Sequence, residues 1–452
     1  MSLARKIFFL PGEGLDMSRR FFLKVLIALG LGAYFPKLAQ AESLDELHAP
    51  QDGYEPLTSV KFLRQVVTRD CRSSRTLMWQ TDAATPSAAV SSKLLAVSDT
   101  APNLTANSYQ LPAFSVEWRL VGEESAHFSE VERNDLIFSC ALKNLKPASL
   151  YKFRIVSGGR ATSWQDLRTA GDGEFQMLIF ADSQCEHYEV WQRTAEAAQK
   201  NFPDVELVTV VGDLVDNGEA DYQWRAWHAA AANLLAGKIF APVMGNHECY
   251  GVDWFNALPV GYLNQFALPD NGAKNLGGYF YSFDYGAAHF FILNTQFAEL
   301  EKFHPNMQSA QEYFFRRDAA NANRPWKIVL MHKDIYDYAR DDFNDIAEKF
   351  LELFDELEID LVFTGHLHTY RNRGKIFARK KSSRGTTYIL CGRAGDQKYV
   401  EPHSAIDDVS FKNLREEPES FIVLNVSAAE INLTAQTVDG KILDSFKMTK
   451  GE

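Results

Sequence analysis

The chain has 452 residues, of which 46% are hydrophobic and 23% charged, enough to bury substantial cores in two or three domains. Its formal net charge of −12 argues against stable nucleic-acid binding, which depends on Lys and Arg neutralising backbone phosphates. A small anionic ligand stays open, since it needs only a local basic patch.

Residues 1–41 do not read as part of a fold. Ser18-Arg19-Arg20-Phe21-Phe22-Leu23-Lys24 resembles the twin-arginine export signal, an apolar run from Val25 to Phe35 follows, and Ala39-Gln40-Ala41 is a small-x-small cleavage site. The apolar run is shorter than the roughly 20 residues that span a bilayer. The expectation is cleavage after Ala41, with the twin-arginine export machinery as a partner and a periplasmic mature protein that has no membrane anchor. Met17 is an alternative start.

After a linker at 42–57, residues 58–172 change to short alternating strands: SVKFLRQVV, RTLMWQTD, FSVEWRLV, LIFSCALKNL and SLYKFRIVS. Regular strands separated by Ser, Thr, Pro and Asn predict an all-β sandwich of immunoglobulin or fibronectin III type. LKNLKPASLYKFRIVSGG is similar to the Leu-x-Pro-x-x-x-Tyr corner of fibronectin type III modules. Cys71 and Cys140 flank Trp79 in the order of immunoglobulin domains, yet a chain folded in a reducing compartment reads them as buried small hydrophobes rather than a bridge. With five cysteines a complete disulfide framework is impossible. No His or carboxylate cluster falls here, so this part reads as structural or as a rim to the site.

Residues 173–452 carry the chemistry. Five apolar runs each stop at polar side chains: FQMLIFADSQ at Asp182 and Gln184, VELVTVVGDLVD at Asp213 and Asp216, KIFAPVMGNHE at Asn246, His247 and Glu248, WKIVLMHKDIY at His332, and IDLVFTGHLHTY at His366 and His368. Such runs predict buried parallel strands, and ligands bind at the carboxyl ends of strands in open α/β sheets. Helical spacing over Tyr188 to Lys200, Asp221 to Leu235, Ala310 to Asn321 and Phe343 to Leu357 supplies the crossovers. Carboxylates, an amide and imidazoles together suit Mn, Fe or Zn better than Ca or Cu(I). Cys185 and Cys249 read as packing behind these ligands, and His289 as a packed strand residue. The basic run from Arg371 to Arg384 reads as a solvated hairpin, and Lys333, Tyr336 and Arg393, just after core strands, are candidates to touch substrate oxygens.

The order D-x-Q, GDxxD, GNHE, H, GHxH resembles the calcineurin-like metallophosphoesterases. The text around it, including YFYSFDYGAAHFFILNT and RPWKIVLMHKDIY, is similar to their purple acid phosphatase branch. The resemblance implies an α/β sandwich of mixed sheets flanked by helices, preceded by the β-sandwich. It implies two divalent or trivalent metal ions, one held by Asp182, Asp213 and His368 with Gln184 as a weak extra donor, the other by Asp213, Asn246, His332 and His366. It further implies hydrolysis of phosphate mono- or diesters of small molecules, by in-line attack of a metal-bridging hydroxide with His247 at the leaving oxygen. Glu248 either holds the second nitrogen of His247, raising its basicity, or acts as a simple helix cap.

This chain departs from the branch in two places. Purple acid phosphatases have a Tyr ligand where Asp216 stands, which predicts a non-purple enzyme in which Asp216 is structural and bonds backbone amides of the following loop. Many wider relatives have His at the position of Gln184. Two other readings survive: an exported binding protein with a degenerate phosphoesterase domain, and a cyclic-nucleotide or nucleic-acid phosphodiesterase, which the acidic charge disfavours.

Overall fold

The computed structural model describes residues 54–81, 114–397 and 418–451. The export-signal and cleavage expectations over residues 1–41 lie outside them. Residues 57–452 form one compact unit.

The N-terminal part comprises β1 (Val60–Val66), β2 (Arg75–Thr81), β3 (Ser115–Leu120), β4 (Ile137–Leu142), β5 (Leu150–Ser157) and β6 (Gln165–Arg168). β5 pairs antiparallel with β3 and β6, while β2 pairs antiparallel with β1 and β4. Alternate residues of the two layers, among them Trp79, Val116, Phe138, Phe153 and Ile155, close a small core in which the Trp79 and Phe138 rings stack at 5.7 Å. The expected Tyr corner forms, with the Tyr151 hydroxyl accepting from the Lys146 amide at 2.7 Å. All five cysteines are unpaired and buried. Cys140 belongs to this core and Cys71 to the larger one, which is why the pair does not meet.

The larger core lies between two sheets. The first contains β7 (Phe175–Phe180), β8 (Leu207–Val210) and β9 (Ile239–Phe240), mutually parallel and followed by α1 (Glu189–Asn201) after β7 and α2 (Asp221–Ala230) after β8. The second contains β10 (Tyr281–Tyr285), β11 (Ala288–Leu293), β12 (Trp326–Met331), β13 (Leu361–Thr364), β14 (Tyr370–Phe377) and β15 (Thr386–Cys391). In it β11, β12, β13 and β15 run parallel, and α3 (Met307–Asn321) and α4 (Asp345–Glu356) make the crossovers. α4 illustrates the local code. Ile346, Ala347, Phe350, Leu351 and Phe354 bury one face, and the Asn344 side chain caps the start by accepting from the amides of Ile346 and Ala347.

β16 (Ser420–Val426), β17 (Glu430–Thr437) and β18 (Ile442–Thr449) extend the first sheet from β7 by antiparallel pairing. On its other side β9 pairs in parallel with β1, Ile239 opposite Gln65 and Phe240 opposite Val66. One ten-stranded sheet therefore runs from the C-terminal hairpins through the parallel strands into the N-terminal part. Side chains secure the joint: the Arg64 guanidinium donates to the Gln265 carbonyl, and Gln65 to the carbonyls of Asp166 and Ala236.

Candidate metal centre

The five polar endings come from both sheets. Asp182 follows β7, Asp213 follows β8 and Asn246 lies beyond β9, whereas His332 follows β12 and His366 and His368 follow β13. Each set is parallel, and the closeness of side chains from the two sets brings both groups of carboxyl ends to one place. Donor atoms of Asp182, Asp213 and His368 lie within 4.8 Å of one another, as do those of Asp213, His332 and His366. Asn246 joins the second group, its Oδ1 3.1 Å from His332 Nε2.

Close approach is bought with backbone conformation. Gly212 has φ +80, and a Cβ there would meet His332 Nδ1 at 2.2 Å; a Cβ on Gly245 would meet Asp213 Oδ1 at 2.1 Å. Asp182, Asp213, His366 and His368 themselves have φ between 50 and 77, the left-handed region that side-chain-bearing residues seldom occupy away from functional sites.

The donor atoms fit cations on the evidence of their own hydrogen bonds. His332 Nδ1 donates to the Val211 carbonyl at 2.8 Å, and His368 Nδ1 to the Gln397 carbonyl at 2.9 Å. Each carbonyl fixes the ring tautomer and turns the Nε2 lone pair inward, as partners of metal-ligating histidines do. With both rings neutral, the inward atoms are all acceptors. His332 Nε2 stands 3.0 Å from Asp213 Oδ2, and His368 Nε2 stands 3.5 Å from Asp182 Oδ1. Gln184 is placed alongside, its Nε2 3.5 Å from Asp213 Oδ2 and 3.4 Å from His368 Nε2, while its buried Oε1 has no hydrogen-bond partner. A half-turn of that amide presents the oxygen to the same acceptors, an arrangement only a cation satisfies.

The titrating groups of the cluster are pulled in different directions. Burial pushes His366 down to about 3 and His368 down to about 4, keeping both in the neutral form that binds metal. Burial also raises Asp182 well above the usual carboxylate range. Asp213 feels the same burial, but His332, His247 and His366 outweigh it and hold it low. His332 shows the reverse balance: burial opposes its charge, yet Asp213 raises it to about 9.

The neighbours take positions that differ in part from expectation. His247 Nδ1 donates to the Asp216 carbonyl at 2.7 Å, which leaves Nε2 facing the cluster, 3.9 Å from Asp213 Oδ2. Glu248 does not hold the second nitrogen of His247. Its carboxylate accepts from the amides of Asp213, Leu214, Val215 and Gly245 at 2.7 to 3.3 Å, so it caps the turns of two motif loops at once. Asp216 does not bond the amides of the following loop, where Asn217, Gly218 and Glu219 have other acceptors; its Oδ1 accepts from Gln397 Nε2 at 2.6 Å. Lys333 is spent on Glu299, the Tyr336 hydroxyl on Asp341, and buried Arg393 on Glu419 and the Gly395 carbonyl. Of the basic hairpin, Arg379, Lys380, Lys381 and Arg384 are exposed, but Arg371 and Arg373 are buried. His289 is more than packing, since it bridges Asp284 and Asp318. Sequence reasoning missed Gln397 and Tyr250, whose hydroxyl lies 3.3 Å from Asn246 Nδ2, because nothing in their local text marks them.

Comparison with known proteins matches residues 175–370 to the calcineurin-like phosphoesterase family. Purple acid phosphatase 15 of Arabidopsis thaliana is 26% identical over 193 residues, 41% of this chain and 35% of that protein. The chain spans between 35% and 40% of the length of the first curated relatives it matches. The purple acid phosphatase PPD1 of yellow lupin shares the fold with a TM-score of 0.66 at 16% identity, over 86% of this chain and 74% of its own. PhoD shares it at 0.59 and 13% identity, over 87% and 91%. The chain carries a calcineurin-like metallophosphoesterase domain, with purple acid phosphatases among its homologues and structural neighbours.

Proposed function

We propose that the protein is a metal-dependent phosphoester hydrolase that binds two cations, drawn from Mn, Fe or Zn. Asp182, Asp213 and His368, with Gln184 beside them, would hold one; Asp213, Asn246, His332 and His366 would hold the other. The observation that carries this reading is the membership of Asp213 in both donor groups. A bound cation pair neutralises phosphate charge and lowers the pKa of water.

The chain supplies the rest. His247 Nε2 faces the cluster with its partner nitrogen committed to a carbonyl, so it is the group that gives a proton to the leaving oxygen as the P–O bond breaks and the oxygen of water takes its place. Asp213 and Asp216 favour the charged imidazole, outweighing the burial that opposes it and raising the pKa of His247, which is the sense an acid requires. The substrate is a small phosphorylated molecule, either monoester or diester, and export to the periplasm by the twin-arginine route belongs to the same reading, carried by residues 18–24 alone.

The test pairs elemental analysis of the natively exported protein with rates on 4-nitrophenyl phosphate, bis(4-nitrophenyl) phosphate and a cyclic nucleotide, with and without added Mn²⁺ or Zn²⁺. Metal bound together with turnover of one ester class is expected. Protein that binds no metal and cleaves none of the three refutes it in favour of the degenerate, ligand-binding reading.

A further inference from the structure

In the segment that follows His247 the chain leaves large apolar side chains in the open, of which Trp254 lies beside that ring. Val252, Trp254, Phe255, Leu258 and Val260 are all exposed, Trp254 by 55%. The Trp254 ring centre lies 6.0 Å from that of His247, with the planes at 90°, and 6.2 Å from that of Tyr250. Tyr250 in turn reaches the Asn246 amide, so the indole stands within two contacts of the metal ligands.

The segment that presents it is fixed. Tyr250 and Asn256 form an antiparallel bridge, Gly251 N donates to the Phe255 carbonyl at 2.9 Å and Trp254 N to the Gly251 carbonyl at 2.8 Å. Glu219 holds the Val252 amide at 2.9 Å, and Asn217 donates to the Gly251 carbonyl at 2.6 Å. Trp254 takes φ +64, a conformation that a bulky residue adopts only when its surroundings enforce it. A strained backbone that turns an indole toward water, beside the proton donor, is a constraint on what the site receives.

The other opening at the centre is less suited to recognition. A cavity of about 380 Å³ adjoins His366, lined by Lys333, Arg340, Tyr338 and the acids Asp334, Asp337 and Asp345. Its cations are already paired, Lys333 with Glu299 and Arg340 with Asp337.

We propose that Trp254 is a specificity-determining residue whose exposed indole face stacks on a planar aromatic group of the substrate, so that the site prefers aryl to alkyl phosphoesters. The inference rests on the hydrolase reading above. His247 meets the leaving oxygen, so whatever that oxygen carries emerges beside the His247 ring, where Trp254 forms the wall. Stacking of this kind is worth a few-fold to about tenfold in equilibrium terms.

The experiment measures kcat/KM for 2-naphthyl phosphate and for glycerol 3-phosphate with the wild type, Trp254→Ala and Trp254→Phe, each metal-loaded, with Tm as the check on folding. The aryl-to-alkyl ratio is expected to fall roughly two- to tenfold in Trp254→Ala, mainly through KM, and to be largely kept in Trp254→Phe. An unchanged ratio in Trp254→Ala, whether both rates fall together or neither does, overturns the proposal. So does a Phe variant as poor as the Ala variant. A diester-specific wild type is read on methyl 2-naphthyl and methyl glyceryl phosphodiesters with the same outcomes, and wild type that cleaves neither monoesters nor diesters overturns the hydrolase reading itself.

Discussion

The proton on His247 Nδ1 is committed to the Asp216 carbonyl, so Nε2 is the only nitrogen of that ring able to meet a leaving oxygen. Replacing His247 by Ala should lower kcat by about 10² to 10⁴ while metal content, read by elemental analysis, stays at the wild-type level; loss of metal would show that the ring is structural. Gly212→Ala makes the opposite kind of prediction. Its left-handed φ costs a side chain about 1–2 kcal/mol, and the added methyl would sit 2.2 Å from His332 Nδ1, so the variant should bind less metal as well as unfold at lower temperature. At this scale the side chains that gather in the cluster were legible, because each ends an apolar run at a Gly or a polar cluster. The partners were not. Whether Glu248 faces His247 or four amides depends on how two loops distant in sequence meet, and Gln397 carries no pattern of its own.

Among the elements, the β10–β11 hairpin is tied to α3 by His289, which lies 2.6 Å from Asp284 and 3.0 Å from Asp318. Burial alone would push His289 down, but the hydrogen bonds to the two carboxylates outweigh it and raise its pKa. Burial would push the carboxyls up, and His289 instead lowers them. The raised imidazole contributes stability that is whole below its unfolded pKa, about 6.5, and lost as pH climbs through the folded value; the lowered carboxyls contribute above about 4 and fail as pH drops through theirs. His289→Gln should therefore cost roughly 1.5–3 kcal/mol at about pH 6 and clearly less at about pH 10. Equal losses in urea unfolding at the two pH values would sink this account. A second tie joins the loop after β12 to β14, where Arg373 grips Asp334 with two hydrogen bonds of 2.9 and 2.7 Å, both groups buried. Asp334→Asn removes the charge opposite a buried guanidinium, which keeps only neutral partners such as the Tyr338 hydroxyl at that end, and should cost about 3–5 kcal/mol, measurable as a shift in the denaturation midpoint. Helix positions were readable from apolar spacing, as α4 shows, but the buried Arg371 and Arg373 were not, since a run of charges in sequence carries no sign of which members turn inward.

Across the whole molecule, the continuous ten-stranded sheet governs how the protein unfolds. The change from alternating to uniformly apolar strands near residue 173 is real in the sequence, yet β9 pairs with β1 across it, a register no local pattern announces. We expect a single calorimetric transition for the unit that begins at residue 57. A fragment beginning at residue 173 would expose the β9 edge together with the apolar groups that β1 covers, and such edges invite aggregation. Recovery of that fragment as a soluble, metal-loaded monomer would contradict the expectation.

The left-handed backbone at Asp182, Asp213, His366 and His368 sets durability against chemistry. Glycine at any of the four would relax the chain and delete a donor side chain of the cluster in the same stroke. A laboratory selection for heat tolerance that ignored turnover would thus find its gains by dismantling the cluster, and survivors of such a screen would be sturdier proteins that have forgotten their reaction.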